Sequence, residues 1–135
     1  MKFNFTSQIC TTKEQSERLL ALGLKTETAD MRYILLEGDL QPCIRAMPWN
    51  SICIPCQNNF PTWSLHRLIE MMPSFINIGE YAYALRIIRG KLFAYRSNIA
   101  GDTLLFDGGN LYDAAIYTIE WLIKEGHFHK EYLEE

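Results

Sequence analysis

NLYDAAIYTIEWLIKEG, residues 110–126, is the most clearly marked element of the chain and anchors its fold. Asn110 suits an N-cap, because its side-chain oxygen can accept a free backbone N–H of the first turn. Asp113 falls where the carboxylate of a capping box would stand, near the positive end of the helix dipole. Lys124 lies at the negative end, and Gly126 suits the left-handed position after the last turn. At about 100° per residue, Leu111, Tyr112, Ala115, Ile116, Ile119, Leu122 and Ile123 form one apolar stripe. That stripe is expected to face the core.

Ala114, Tyr117 and Trp121 fall on the opposite face, where Glu, Lys or Gln would be ordinary. Tyr117 and Trp121 are four apart and share one side. Two readings stay open. The C-terminal tail HFHKEYLEE folds back and covers them with Phe128, Tyr132 or Leu133, or they form a contact surface for a protein partner or a second subunit.

The chain before this helix supplies the other elements. Residues 2–9 alternate weakly, as a short strand or an arm would. Thr11 and Glu14 form a T-x-x-E capping box, and a helix is expected over 12–22. Gly23 terminates it, with Leu24 placed to pack back on Leu19. TETAD (26–30) reads as a turn and MRYILLE (31–37) as a strand. From Leu40 to Asn50 the periodicity is lost, with prolines at 42 and 48. SICIPCQ (51–57) is a short apolar strand, confined to an edge by Pro55.

A second helix is expected over 64–72. Ser64 caps it, Leu65, Leu68, Ile69 and Met72 share one face, Trp63 and Leu68 form a hydrophobic staple, and Pro73 ends it. YAYALRIIRGKLFAYRS (81–97) reads as a hairpin. A turn at Ile88 and Arg89 with Gly90 as a left-handed bulge pairs Tyr83 with Tyr95 and Leu85 with Phe93. The large apolar groups then share one face, and Ala82, Ala84, Arg86, Ala94 and Arg96 the other. DTLLFDG (102–108) is a last strand. The fold class is α+β, with three helices (12–22, 64–72 and 110–125) packed on a mostly antiparallel sheet of about four to six short strands.

The size of the chain, 135 residues, fits one domain over 1–135. With 48% hydrophobic and 21% charged residues, composition excludes a disordered chain. A net charge of −3 with no basic cluster makes nucleic acid an unexpected partner. No apolar run approaches a membrane span, and the first residues lack the core of a secretion signal. A cytoplasmic protein is therefore expected, with Cys10, Cys43, Cys53 and Cys56 as reduced thiols.

Cys53-Ile-Pro-Cys56 looks like a thioredoxin-type redox pair. Such chemistry needs one thiol of lowered pKa, usually at a helix N-terminus, and this pair lies in a strand-like run. Cys43, Cys53 and Cys56, with Cys10 or a histidine such as His127 or His129, are candidate zinc ligands. Structural zinc sites usually need two tight pairs, and only one is present. Gly108-Gly109 before a helix could cradle an anion, but Asp107 and Asp113 flank that terminus. His66 and Glu70, four apart, could act as an acid–base pair, although pairs of this kind are usually solvated. There is no G-x-S-x-G, H-E-x-x-H or Walker loop.

At TTKEQSERLLALGLKTETADM, PTWSLHRLIEMMP and NLYDAAIYTIEWLIKEG the chain resembles a group of small, uncharacterised proteins from phages and mobile elements of gut Bacteroidetes-type bacteria. The resemblance implies a small α+β cytoplasmic protein and carries over no activity or catalytic residue. The expected function is a non-enzymatic protein-interaction or self-association module with no cofactor. Tyr117 and Trp121 are its candidate partner-binding residues. The alternatives are a thiol redox or zinc protein using Cys53 and Cys56, and a small-molecule pocket between the sheet and the long helix.

Overall fold

The structure is a computed structural model that describes residues 8–36, 39–44, 60–88 and 92–135, with side chains described except at 33–36 and 39–44. The expected strand over 51–57, Cys53, Cys56 and the hairpin turn at 89–91 lie outside these residues. So does nearly all of the weakly alternating 2–9 stretch.

The fold is α+β. Among the described residues, helices α1 (Lys13–Ala21), α2 (Leu65–Met71) and α3 (Leu111–Lys124) accompany seven strands in two sheets. One sheet holds β1 (Met31–Leu36), β2 (Asp39–Ile44) and β3 (Phe60–Thr62) in the order β2-β1-β3. The other holds β4 (Phe75–Ile78), β5 (Tyr81–Ile88), β6 (Leu92–Ser97) and β7 (Asp102–Asp107) in chain order. All pairings are antiparallel. The division into two sheets was not expected. Periodicity marks strands but not which strands pair.

The helix ends follow local chemistry. Asn110 Oδ1 accepts from the Asp113 N–H at 2.9 Å, as its position in the sequence requires. At the C-terminus of α3, Gly126 N donates to the Ile123 carbonyl and His127 N to the Leu122 carbonyl, with Gly126 at φ +77°. The same double bond closes α1, where Gly23 N reaches Leu20 O and Leu24 N reaches Leu19 O. One cap differs from expectation. Thr12, not Thr11, caps α1, and its box partner is Gln15 rather than Glu14. Thr11 is fully buried. Its hydroxyl pairs with Ser16 Oγ at 2.8 Å and accepts the Trp63 N–H at 3.0 Å, tying the start of α1 to the start of α2.

Three strands were not expected. β2 carries Pro42 opposite Tyr33 and is tolerated because it is an edge strand, where a missing N–H breaks no inner ladder. β3 is three residues long and β4 four, too short for an alternation to stand out. The β5–β6 hairpin forms, but its register is displaced by two residues. Leu85 pairs with Tyr95 and Ile87 with Phe93, instead of Tyr83 with Tyr95 and Leu85 with Phe93. A shift of two keeps every side chain on its expected face, so hydrophobic pattern alone does not choose between these registers. The neighbouring strand fits the observed one, with Phe93 opposite Phe106 and Tyr95 opposite Leu104.

The core runs along α3. Tyr112, Ala115, Ile116, Ile119 and Leu122 of the expected stripe are buried in one cluster with Leu19, Trp63, Leu68 and Met71 from the α1 and α2 side. Leu111 and Ile123, at the stripe's margins, are half-buried. Part of the opposite face is buried too. Ala114 and Thr118 are fully covered, and Thr118 satisfies its hydroxyl on the Ala114 carbonyl at 2.7 Å. That second face lies on β6 and β7, so α3 is the middle layer between the four-stranded sheet and the other two helices.

Candidate functional site

The two aromatics of α3 sit at this helix–sheet seam. Trp121 is half-buried, its ring 5.2 Å from Phe106 and 6.5 Å from Tyr95 between centroids. His127, delivered by the turn at Gly126, stacks on its other side at 5.6 Å. Tyr117 leans on Phe106 at 5.6 Å and remains 48% exposed. The tail residues expected to cover them do not. Phe128 packs on Tyr132, Tyr132 lies under the Arg67 guanidinium, and Leu133 bridges to Leu24. Beside the seam, Tyr117, Glu120, Trp121 and Lys124 line a shallow depression of about 130 Å³. That is well below the several hundred Å³ of an ordinary small-molecule pocket. Between helix and sheet, Ala114, Thr118, Tyr95 and Phe106 fill the space where the small-molecule alternative would place its ligand.

Among the described residues the candidate chemical groups do not assemble. His66 is exposed and meets Glu70 at 3.6 Å, and Glu70 also meets Arg67 at 3.9 Å, as a solvated surface cluster does. His129 stands edge-on to Tyr132. Cys10 is buried and free, and Cys43 stands opposite Arg32 in the β1–β2 ladder. Among the described residues no three His, Cys, Asp or Glu converge as a metal would need. At the start of α3, Asp107 Oδ1 already accepts the Gly109 N–H at 3.0 Å, which occupies the donor an anion would use.

The larger surface lies on the far side of the four-stranded sheet. The inner face, with Ile76, Tyr83, Phe93, Tyr95 and Phe106, is buried against the helices. On the outer face the registers place Phe75, Ala84, Arg96 and Thr103 in one row and Arg86, Ala94 and Leu105 in the next. Ile88, Leu92 and Asp107 form a third. Phe75 is 68% and Leu105 59% exposed. Outer faces of antiparallel sheets normally alternate to polar residues. Here Ala84 and the fully buried Ala94 alternate with the exposed Arg86 and Arg96 on the two central strands, and large apolar groups stand on both edge strands. Tyrosines on the inner face are held neutral. Tyr95 donates to the Pro73 carbonyl at 2.7 Å, and its burial pushes the phenol far above its ordinary range. Tyr83 is also raised, by burial and by the Asp102 carboxylate that accepts its hydrogen bond.

The signal for this surface was present in the sequence. The alternation in 81–97 assigns Ala82, Ala84, Arg86, Ala94 and Arg96 to one face. What escaped was Phe75, in a strand too short to read, and Leu105, whose side of the sheet depends on pairing with Ala94. Comparison with protein-family models, with curated proteins and with solved structures gives no match. No helix among the described residues is long and apolar enough to cross a membrane.

Proposed function

We propose that the chain is a non-enzymatic protein-interaction module, of the phage or mobile-element type that its helical stretches resemble, acting in the cytoplasm. The observation that supports this reading is the outer face of the β4–β7 sheet, where Phe75 and Leu105 stand largely in solvent. Large apolar side chains exposed on a sheet face invite association unless a partner covers them. Tyr117, and Trp121 beneath it, border the same sheet at its inner side and offer a second, smaller contact. No observation favours the thiol or zinc alternative. Titration of the thiols with and without a chelator, with metal analysis of the purified protein, tests it separately.

The test of the interaction reading joins two measurements. Sedimentation over a wide concentration range reports self-association. A photo-crosslinking amino acid placed at Phe75 reports a foreign partner in cells, with the same label at Glu131, exposed in the tail, as control. A discrete adduct or a concentration-dependent oligomer, lost in the Phe75→Ser/Leu105→Ser double variant, is expected. A monomer at every concentration, with no adduct beyond the Glu131 control, sinks the reading.

A further inference from the structure

We infer that two copies of this chain join edge to edge through β7, antiparallel about a two-fold axis at Leu105, so that the four-stranded sheet continues from one copy into the other. The inference rests on the interaction reading above and names the partner as a second copy.

β7 is an edge strand, and among the described residues no strand pairs with its outer side. The backbone N–H and C=O groups on that side are a template for another extended strand. Natural edges are blunted by shortness, proline, lysine or a bulge. β4, at the opposite edge, is only four residues long. β7 has six residues, DTLLFD, without proline or lysine, and each pairs one for one with β6, which leaves no bulge. Its middle, Thr103 to Phe106, carries no charge.

The strand is complementary to itself in one register. Facing residues of an antiparallel pair point to the same side of the sheet. A two-fold axis normal to the sheet therefore passes through a residue and not between two. With Leu105 on the axis, Leu105 meets its own copy on the outer face, and Leu104 meets Phe106 of the second copy on the inner face. Thr103 then sets its hydroxyl opposite the Asp107 carboxylate of the second copy. Leu105 is 59% exposed, and this pairing covers it. An axis at Leu104 sets Asp102 against Phe106, and an axis at Phe106 sets Leu105 against Asp107. Each of those opposes an apolar group to a carboxylate.

Helix α3 matches the same axis. Phe106 meets Tyr117 and Trp121, while a Cβ on Gly108 would meet Asp113 and Ala114, so α3 runs back antiparallel over β7. One strand residue advances about 3.3 Å and one helix residue about 1.5 Å. Leu105 is therefore level with Glu120 and Trp121, and the depression lined by Tyr117, Glu120, Trp121 and Lys124 lies beside the axis. Trp121 reaches Tyr95 of β6 as well as Phe106, whereas Tyr117 leans on Phe106 of β7, so the Tyr117 flank of α3 faces the free edge. Because α3 rests on β6 and β7, it stands about one strand spacing inside the seam. The two α3 helices then come about 10 Å apart, the separation of packed helices. The two-fold places Lys124 of each copy against Tyr117 of the other, within one turn of its Glu120. Glu120 meets Arg18 of its own chain at 3.8 Å in an exposed pair. Among the described residues Lys124 has no ion-pair partner.

Sedimentation of the full chain over a wide concentration range should show a monomer–dimer equilibrium. Leu105→Lys, at an exposed position, should abolish the dimer with an unchanged urea midpoint. Lys124→Glu should weaken it about tenfold, since the two-fold repeats each contact. With a short thiol cross-linker, Leu105→Cys should link to itself, and a mixture of Thr103→Cys and Asp107→Cys chains should link to each other. Facing Cβ atoms in such a pair are about 4.5–5.5 Å apart. Peptide mapping separates these links from any made by the native cysteines. Phe75→Cys, on the opposite edge strand, should not link.

A dimer that survives Leu105→Lys, or that links through Phe75→Cys, overturns the inference and leaves the interaction reading standing, because the copies then meet elsewhere. A monomer at every concentration that still gives the Phe75 photo-adduct in cells does the same, because the occupant is then a foreign protein. A monomer with no adduct removes both the inference and the reading.

Discussion

Trp121 and His127 stack with ring centroids 5.6 Å apart and planes 28° from parallel. The contact joins the last turn of α3 to the segment that follows Gly126, and it closes Trp121 against Phe106. Trp121 is therefore a packing residue before it is a contact residue, whereas Tyr117 has half of its surface free. Trp121→Ala should cost about 3–5 kcal/mol. Tyr117→Ser should change stability much less. His127→Ala should remove about 0.5–1.5 kcal/mol and shift Trp121 emission to the red, with Trp121→Phe identifying the signal. Urea titration of the variants checks the order. Equal losses for Tyr117→Ser and Trp121→Ala would contradict it.

Gly108 is held by close approach. A Cβ there would stand 2.5 Å from the backbone nitrogen of Ala114 and 2.5 Å from the carbonyl carbon of Asp113. Both are backbone atoms of the first turn of α3 and cannot swing aside as a side-chain end would. Gly108→Ala should lower stability by about 1–3 kcal/mol by pushing α3 off its sheet. Denaturant midpoints at constant slope measure this. An unchanged midpoint would mean that the helix has room to move.

Thr11 and Thr12 have different roles despite being neighbours. Thr12→Ala removes an N-cap and should cost about 1 kcal/mol. Thr11→Val leaves the Trp63 N–H and the Ser16 hydroxyl without their buried partner and should cost about 1–3 kcal/mol. The larger loss is expected at Thr11. The reverse order would mean that the buried Thr11 hydroxyl contributes less than the Thr12 cap.

Alkaline pH should weaken the fold through Tyr95. Its pKa in the folded chain is raised above the ordinary value of 10.0, because burial disfavours the phenolate. The unfolded chain therefore loses this proton first as pH rises. The contribution to stability is fully present below about pH 10 and falls as pH climbs toward the folded value. Tyr112 is raised in the same direction, also chiefly by burial. The free energy of unfolding should be flat in this respect up to about pH 10 and fall beyond it. Tyr95→Phe should flatten part of that fall, while losing the 2.7 Å bond to Pro73. An identical slope in the variant would remove Tyr95 from the account.

The surfaces were legible to different degrees. The outer-face arginines and alanines of β5 and β6 follow from alternation alone. The exposure of Arg86 and Arg96 does not, because it depends on the other side of the sheet being the one that α3 covers. For Tyr117 and Trp121 the sequence posed two answers, tail or partner. Trp121 is met by Phe106 and Tyr95 of its own sheet and by His127, the first residue of that tail, while Phe128, Tyr132 and Leu133 pack elsewhere. A helix read alone has one buried stripe, and nothing within it announces a second layer.

Features that act over a few residues can be read directly from the chain. These are the Asn110 and Ser64 caps, the glycine endings at 23 and 126, the extent of three helices, and the two faces of the β5–β6 hairpin. Each depends on hydrogen bonds and side-chain periods spanning one turn or one strand. Tertiary structure alone decided that the strands divide into two sheets and that α3 is covered on both sides. It also decided that Gln15 reaches Asp113 across 98 residues of chain, and that Phe75 and Leu105 stay largely in solvent. These depend on which distant surfaces meet. Burial is set by the sum of such meetings, which no local pattern carries.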